Sequence, residues 1–145
     1  MKLLKTLLVI TISMVVFSCA ENNTNTNTAS INKKNSIEVY DFHSTNRCIT
    51  CQSIENNTQF TLETFFAEEL KNKTISFQIV NVDKDENYAL AEKFQATGTA
   101  LFLNVIKDNK EQHIDLTDFA FKYGKKQEEF SKLLKDKIAK QLETL

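Results

Sequence analysis

Apolar residues along this chain fall into short β-branched or aromatic runs and longer stretches with apolar positions at helical spacing. Ile37 to His43 (IEVYDFH) reads as a largely buried strand. From Cys48 onward, Ile54, Phe60, Leu62, Phe65, Phe66 and Leu70 recur at roughly helical spacing and predict a long helix with an apolar stripe. Ile75 to Val82 (ISFQIVNV) is the next strand, and Asp85 to Gln95 a short amphipathic helix with Tyr88, Leu90, Ala91 and Phe94 facing inward. Ala100 to Ile106 reads as a strand, Lys107-Asp108-Asn109-Lys110 as a turn, and Gln112 to Leu116 as the returning arm of a hairpin. Thr117-Asp118 is a plausible N-cap for a short helix to Tyr123 that Gly124 ends. Glu128 to Leu142 is a last amphipathic helix with Phe130, Leu133, Leu134, Ile138 and Leu142 on one face. Strands alternating with helices imply parallel pairing, and the late hairpin adds an antiparallel edge. There is no internal repeat and no second-domain boundary.

One apolar run lies outside this alternation. Behind Lys2 and Lys5, Leu7 to Phe17 is almost wholly apolar. It is shorter than the roughly 20 residues a spanning helix needs, and it matches the h-region of a secretory signal. It ends in Val16-Phe17-Ser18-Cys19, which resembles the lipobox of bacterial lipoproteins. That resemblance implies cleavage before Cys19, thioether lipidation of Cys19 and acylation of the new N-terminus. A plain signal peptide cut at a small-x-small site is the alternative. The expected organisation is a signal peptide over 1–18, a lipidated Cys19 with a tether over 19–35, and a folded domain over 36–145. The tether follows from composition: residues 20–35 are Asn/Thr-rich and too poor in apolar groups to offset the entropy of ordering. The chain is then expected to be extracytoplasmic. A lipid anchor would hold it to a bacterial cell membrane or outer membrane, facing the periplasm.

Composition narrows the function. The 145 residues amount to one domain, and 41% hydrophobic residues with 11 Phe can fill a core, which excludes disorder of the whole chain. Eighteen Lys+Arg against 19 Asp+Glu argue against nucleic acid as a partner. With no Pro and only 2 Gly, Gly-rich phosphate loops and Pro-rich or collagen-like architectures are excluded. Three Cys cannot make a disulfide-dense scaffold. If lipid takes Cys19, two thiols remain, Cys48 and Cys51.

Those two carry the strongest chemical signal. Cys48-Ile49-Thr50-Cys51 is a CxxC at the start of a predicted helix. There the first cysteine meets unpaired backbone N–H groups and the positive dipole end, both of which favour thiolate. Arg47 adds a fixed positive charge next to it. Cys51, one turn on and on the same face, is positioned to attack a mixed disulfide formed at Cys48. A structural disulfide and half of a metal site are the other readings of the motif. His43, five residues upstream, could assist proton transfer or join Cys48 and Cys51 around a soft metal such as Cu(I). His113 is expected to be a solvent-facing strand residue.

Strand, CxxC at a helix start, then β-α-β-β-α is the order of the thioredoxin fold, and the run Asn81-Val82-Asp83-Lys84-Asp85-Glu86-Asn87-Tyr88-Ala89-Leu90-Ala91-Glu92-Lys93-Phe94 resembles the corresponding stretch of thioredoxins. The resemblance covers about residues 37–145. At a finer level, Tyr40-Asp41-Phe42-His43, Arg47 to Cys51 and Asp115 to Phe121 resemble a small thioredoxin-like family catalogued as nitrophenyl compound nitroreductase subunits. Nitroreduction is not carried over, and the sequence has no flavin-binding signature. The resemblance implies an α/β, thioredoxin-like fold: β-α-β-α-β-β-α, a mixed central sheet flanked by helices. It implies that Asp41, on the first strand, exchanges protons with the buried thiol. Thr97-Gly98-Thr99-Ala100 falls where thioredoxins place a cis-Pro facing the CxxC. With no Pro, the bond before Ala100 is expected to be trans, since a non-Pro cis bond costs about 3 kcal/mol. The function expected is a membrane-anchored thiol:disulfide oxidoreductase. It would need no cofactor, with Cys48 as nucleophile and Cys51 resolving, and its partner would be a protein disulfide substrate or redox protein. The alternatives are a copper metallochaperone built on Cys48, Cys51 and His43, and an interaction module whose disulfide only staples the helix start.

Overall fold

The computed structural model describes residues 34–145. The expected signal peptide, Cys19 and nearly all of the expected tether lie outside the described residues. Asn35, at the end of that tether, is tied to the domain: its Nδ2 donates to the Leu145 carbonyl at 2.9 Å, and its Oδ1 accepts from Asp108 N–H at 3.0 Å.

The elements run β1 (Ser36–His43), α1 (Ile49–Phe65), α2 (Ala67–Lys71), β2 (Ile75–Asn81), a 3-10 turn (Asp85–Asn87), α3 (Tyr88–Lys93), β3 (Ala100–Lys107), β4 (Lys110–Asp115), α4 (Thr117–Tyr123) and α5 (Gln127–Leu142). This is the expected β-α-β-α-β-β-α order of a thioredoxin-like fold, with a mixed four-stranded sheet in the order β2-β1-β3-β4 flanked by helices.

The expectation of parallel pairing holds for one pair only. β1 and β2 are parallel, whereas β3 runs antiparallel to β1 as well as to β4. Helix length decides this. The 17 residues of α1 span about 25 Å, enough to carry the chain back along a strand before β2 begins. The 6 residues of α3 span only about 9 Å, less than half the length of β2, so β3 starts near the end where β2 stopped. Ala100, the first residue of β3, therefore pairs with Phe42 near the end of β1.

Alternation along β1 sends Ile37, Val39 and Asp41 to one face, and Glu38, Tyr40 and Phe42 to the other. The first face packs with Ile54 and Leu62 of α1 and Phe130, Leu134 and Ile138 of α5 into the larger core. The second gathers Tyr40, Phe42, Val80, Phe94 and Phe102 into an aromatic core, with ring centroids 4.9–5.9 Å apart.

Several side chains depart from the periodicity. The long helical stretch breaks at Phe66 (φ −134°, ψ 31°), whose ring is buried in the core, while Phe60 and Phe65 are half exposed. The buried face of α1 instead carries Asn57, Thr58 and Thr61 beside Cys51, Ile54 and Leu62. Asn57 Nδ2 donates to the Gly124 carbonyl at 2.8 Å, and Thr61 Oγ1 to the Asn57 carbonyl at 2.6 Å. Gly124 follows α4 as expected, in ordinary helical backbone (φ −54°). What it supplies is space, because a Cβ there would stand 2.8 Å from Ile54 Cγ1. Tyr88 is exposed rather than inward. Leu116, not Thr117-Asp118, holds the N-cap position of α4, and Asp115 Oδ1 accepts from Thr117 N–H at 2.8 Å. The hairpin turn is as expected: Asp108 and Asn109 both take left-handed φ (50° and 61°), which their short polar side chains tolerate and a tight hairpin needs.

Candidate functional site

The end of β1 delivers the chain to a four-residue approach, Ser44 to Arg47, before α1. Two neighbours fix this approach. Val82 N–H donates to the His43 carbonyl at 2.9 Å, and Thr45 N–H donates to Asp83 Oδ2 at 2.7 Å, a bond that holds the Asp83 carboxyl below the usual carboxylate range.

Cys48 is the N-cap of α1 in extended backbone (φ −79°, ψ 162°), and its Sγ accepts from Cys51 N–H at 3.1 Å. Cys48 and Cys51 are joined as a disulfide, with their Cα atoms 5.2 Å apart. The two are unequal. Cys48 is exposed, while Cys51 is 7% exposed and shares the buried face of α1 with Ile54. Ile49, between them, is 79% exposed. An N–H already directed at Cys48 Sγ, at the positive end of a long helix, would favour its thiolate once the pair is reduced.

Asp41 has no solvent exposure, and neither carboxyl oxygen makes a hydrogen bond. Its nearest cation is Arg47, with Nη2 3.9 Å from Asp41 Oδ2. The same guanidinium is held by Glu55, whose Oε2 stands 2.6 Å from Arg47 Nη1. Burial, reinforced by the Glu55 carboxylate and opposed by Arg47, pushes the Asp41 carboxyl up to about 7. Two acids thus share one cation behind the CxxC. Arg47, expected to lend its charge to Cys48, has its guanidinium turned to Glu55 and Asp41. Glu55 escaped the sequence reading. The available signal was an acid four residues after Cys51, hence on the same helix face.

The loop between α3 and β3 completes this end of the molecule. The Thr99–Ala100 bond is trans, as the lack of Pro predicts, and no described peptide is cis. Gly98 brings the loop against the CxxC approach, since a Cβ there would lie 3.6 Å from Ser44 Oγ. A cleft of about 450 Å³ opens between Gln95 to Ala100 and the Asp115–Asp118 turn.

The two histidines stand apart from this chemistry. His43 Nδ1 lies 2.9 Å from the Ser44 carbonyl. Among the described residues, no group of three His, Cys, Asp or Glu side chains is placed to hold a metal ion, and Cys48, Cys51 and His43 are not gathered into one. His113, exposed as expected, stacks on Phe94 with centroids 4.2 Å apart. No helix among the described residues is long and apolar enough to cross a membrane.

No family model and no curated protein matches the chain. Among solved structures it is similar to a malarial protein at 20% identity, over 60% of this chain and 93% of that one, with a TM-score of 0.39. It is also similar to a thioredoxin of Fasciola hepatica at 22% identity, over 60% of this chain and 75% of that one, with a TM-score of 0.37.

Proposed function

We propose that the chain is a membrane-anchored, extracytoplasmic thiol:disulfide oxidoreductase that works through Cys48 and Cys51. The observation that carries the reading is a disulfide at the N-terminus of a long helix whose first sulfur is exposed and whose second is buried. The Cys48 thiolate attacks one sulfur of a partner disulfide, forming a mixed disulfide and releasing the other partner sulfur as thiolate. Cys51 then loses its proton and attacks Cys48 Sγ. The Cys48–Cys51 bond closes, the second partner sulfur leaves, and two electrons have passed to the partner. Run backwards, the same steps oxidise a partner dithiol.

Asp41 fits the role of proton acceptor for Cys51. It is a buried carboxyl on the face of β1 covered by α1, and its affinity for protons is raised into the range where it can take one up and give it back near neutral pH. Burial raises that affinity most; Glu55 adds to it and Arg47 opposes it. The lipid anchor rests on the Val16-Phe17-Ser18-Cys19 run. The family of nitrophenyl compound nitroreductase subunits is the finer identity we favour, on the segments around Asp41, Cys48 and Asp115.

The test is trapping. Cys51→Ala should accumulate mixed disulfides with natural partners through Cys48, and Cys48→Ala should trap few. In the reduced protein, iodoacetamide should modify Cys48 faster than Cys51 below neutral pH. Equal alkylation rates, or trapping only through Cys51, would overturn the assignment. A membrane fraction that keeps a Cys19→Ala protein, processed as the wild type is, would remove the lipid anchor.

A further inference from the structure

The two edges of the sheet are built differently. β4 (Lys110–Asp115) carries Lys110, Glu111, His113 and Asp115, the charged, exposed side chains that discourage another strand from pairing with an edge. β2 (Ile75–Asn81) has no charged residue and no Pro, and it pairs on one side only, with β1, among the described residues. Its sequence ISFQIVN is rich in the residues that favour strands. A largely apolar groove of about 510 Å³ runs beside it, lined by Leu62, Leu70, Ile75, Phe77 and Ile79, with the charged Glu63 and Lys73 also on its lining. Ile79 is 46% exposed there.

The flanks of β2 say what fits. Lys71 and Lys73 stand before the strand, and Asp83, Lys84, Asp85 and Glu86, together net negative, after it. A second β2 lying antiparallel brings the basic flank of each strand to the acidic flank of the other; a parallel one sets like charges together.

We propose that the outer edge of β2 is a homodimer interface, in which two copies pair antiparallel about a twofold axis through Gln78. A twofold axis requires a self-complementary patch, and a neutral strand with opposite charges at its two ends is one. In this register Phe77 lies opposite the partner's Ile79. Residues opposite one another in an antiparallel pair share a face, so both side chains fall over the apolar groove. Lys73 lies opposite the partner's Asp83, and the two Gln78 residues face each other across the axis. The four-stranded sheet becomes one continuous sheet of twice that width.

Sedimentation equilibrium on the full chain, in density-matched detergent, reads the assembly directly. The wild type should give twice the chain mass. Ile79→Lys should weaken dimerisation by a hundredfold or more, because the twofold axis sets a pair of buried ammonium groups into the groove. Its circular dichroism should be unchanged, because the site is exposed in the single chain. Lys73→Glu should weaken it by about tenfold, with less dependence on salt. Register is read by oxidation in a Cys19→Ser background. Gln78→Cys should cross-link two chains, and Ser76→Cys, opposite the partner's Val80, should not. A monomeric wild type, an Ile79→Lys chain that dimerises as tightly as the wild type, or Ser76→Cys cross-linking as readily as Gln78→Cys would each overturn the proposal.

Discussion

The two faces of the sheet treat their acids in opposite ways. On the aromatic face each acid has donors. Glu38 accepts from Tyr40 OH at 3.0 Å and from Asn104 Nδ2 at 2.9 Å. Glu111 accepts from Asn104 and from Lys93, and the Lys93 contact above all holds its carboxyl low. On the face covered by α1 Asp41 is fully buried with no hydrogen bond to either oxygen, and burial pushes its carboxyl up to about 7. Folding favours acids whose charge is met and penalises acids whose charge is not. The first face therefore reads as structure. The second holds an acid that costs stability where it stands, beside the helix that carries the CxxC. The cost of Asp41 supports the role proposed for it beside the CxxC, and the saturated network around Glu38 and Glu111 carries no such cost.

Mutations can break this contrast, and the largest effect should fall on exchange. Cys48→Ser should abolish disulfide exchange with a model substrate while leaving the circular dichroism of the fold unchanged. A Cys48→Ser protein that still exchanges would detach the face covered by α1 from the chemistry. Next in size, Phe42→Ala should cost about 3–5 kcal/mol in denaturant unfolding, because a fully buried ring leaves a cavity among Tyr40, Phe94 and Phe102.

Asp41→Asn should do the reverse and stabilise the protein at alkaline pH. The sign follows from the raised affinity. The folded state holds its proton up to about pH 7 while the unfolded chain releases it near pH 4, so the folded state binds more protons in that window. Stability attributable to Asp41 is complete below pH 4 and falls as pH rises through 7. The total is of order a few kcal/mol. The wild type's stability against unfolding should fall from pH 4 to pH 8, and the Asn variant should lose most of that slope. A variant with the wild-type slope would show that Asp41 is met by a partner after all. The smallest effect should come from Glu38→Gln, about 1 kcal/mol with no change in alkylation of either cysteine.

The sequence by itself determined the order of elements, the hairpin turn at Asp108-Asn109, the trans bond before Ala100, and the CxxC at a helix start. Each is a local property. Strand and helix periodicity, the left-handed tolerance of Asp and Asn, the lack of Pro and the spacing of two cysteines are settled within a few residues of chain. Tertiary structure decided the rest. Whether β3 would run with or against β1 depended on how far the short α3 could carry the chain. Which aromatic residues were core depended on how α1 was turned against the sheet: its buried face runs through Ile54, Thr58, Thr61 and Leu62, which leaves Phe60 and Phe65 outward. Asp41 was visible as an acid in a strand, but its raised proton affinity came from being sealed beneath α1 with Glu55 competing for the one guanidinium of Arg47. Charge and burial act over distance in space, and Asp41 and Glu55 are brought to a shared cation only when α1 folds back across β1.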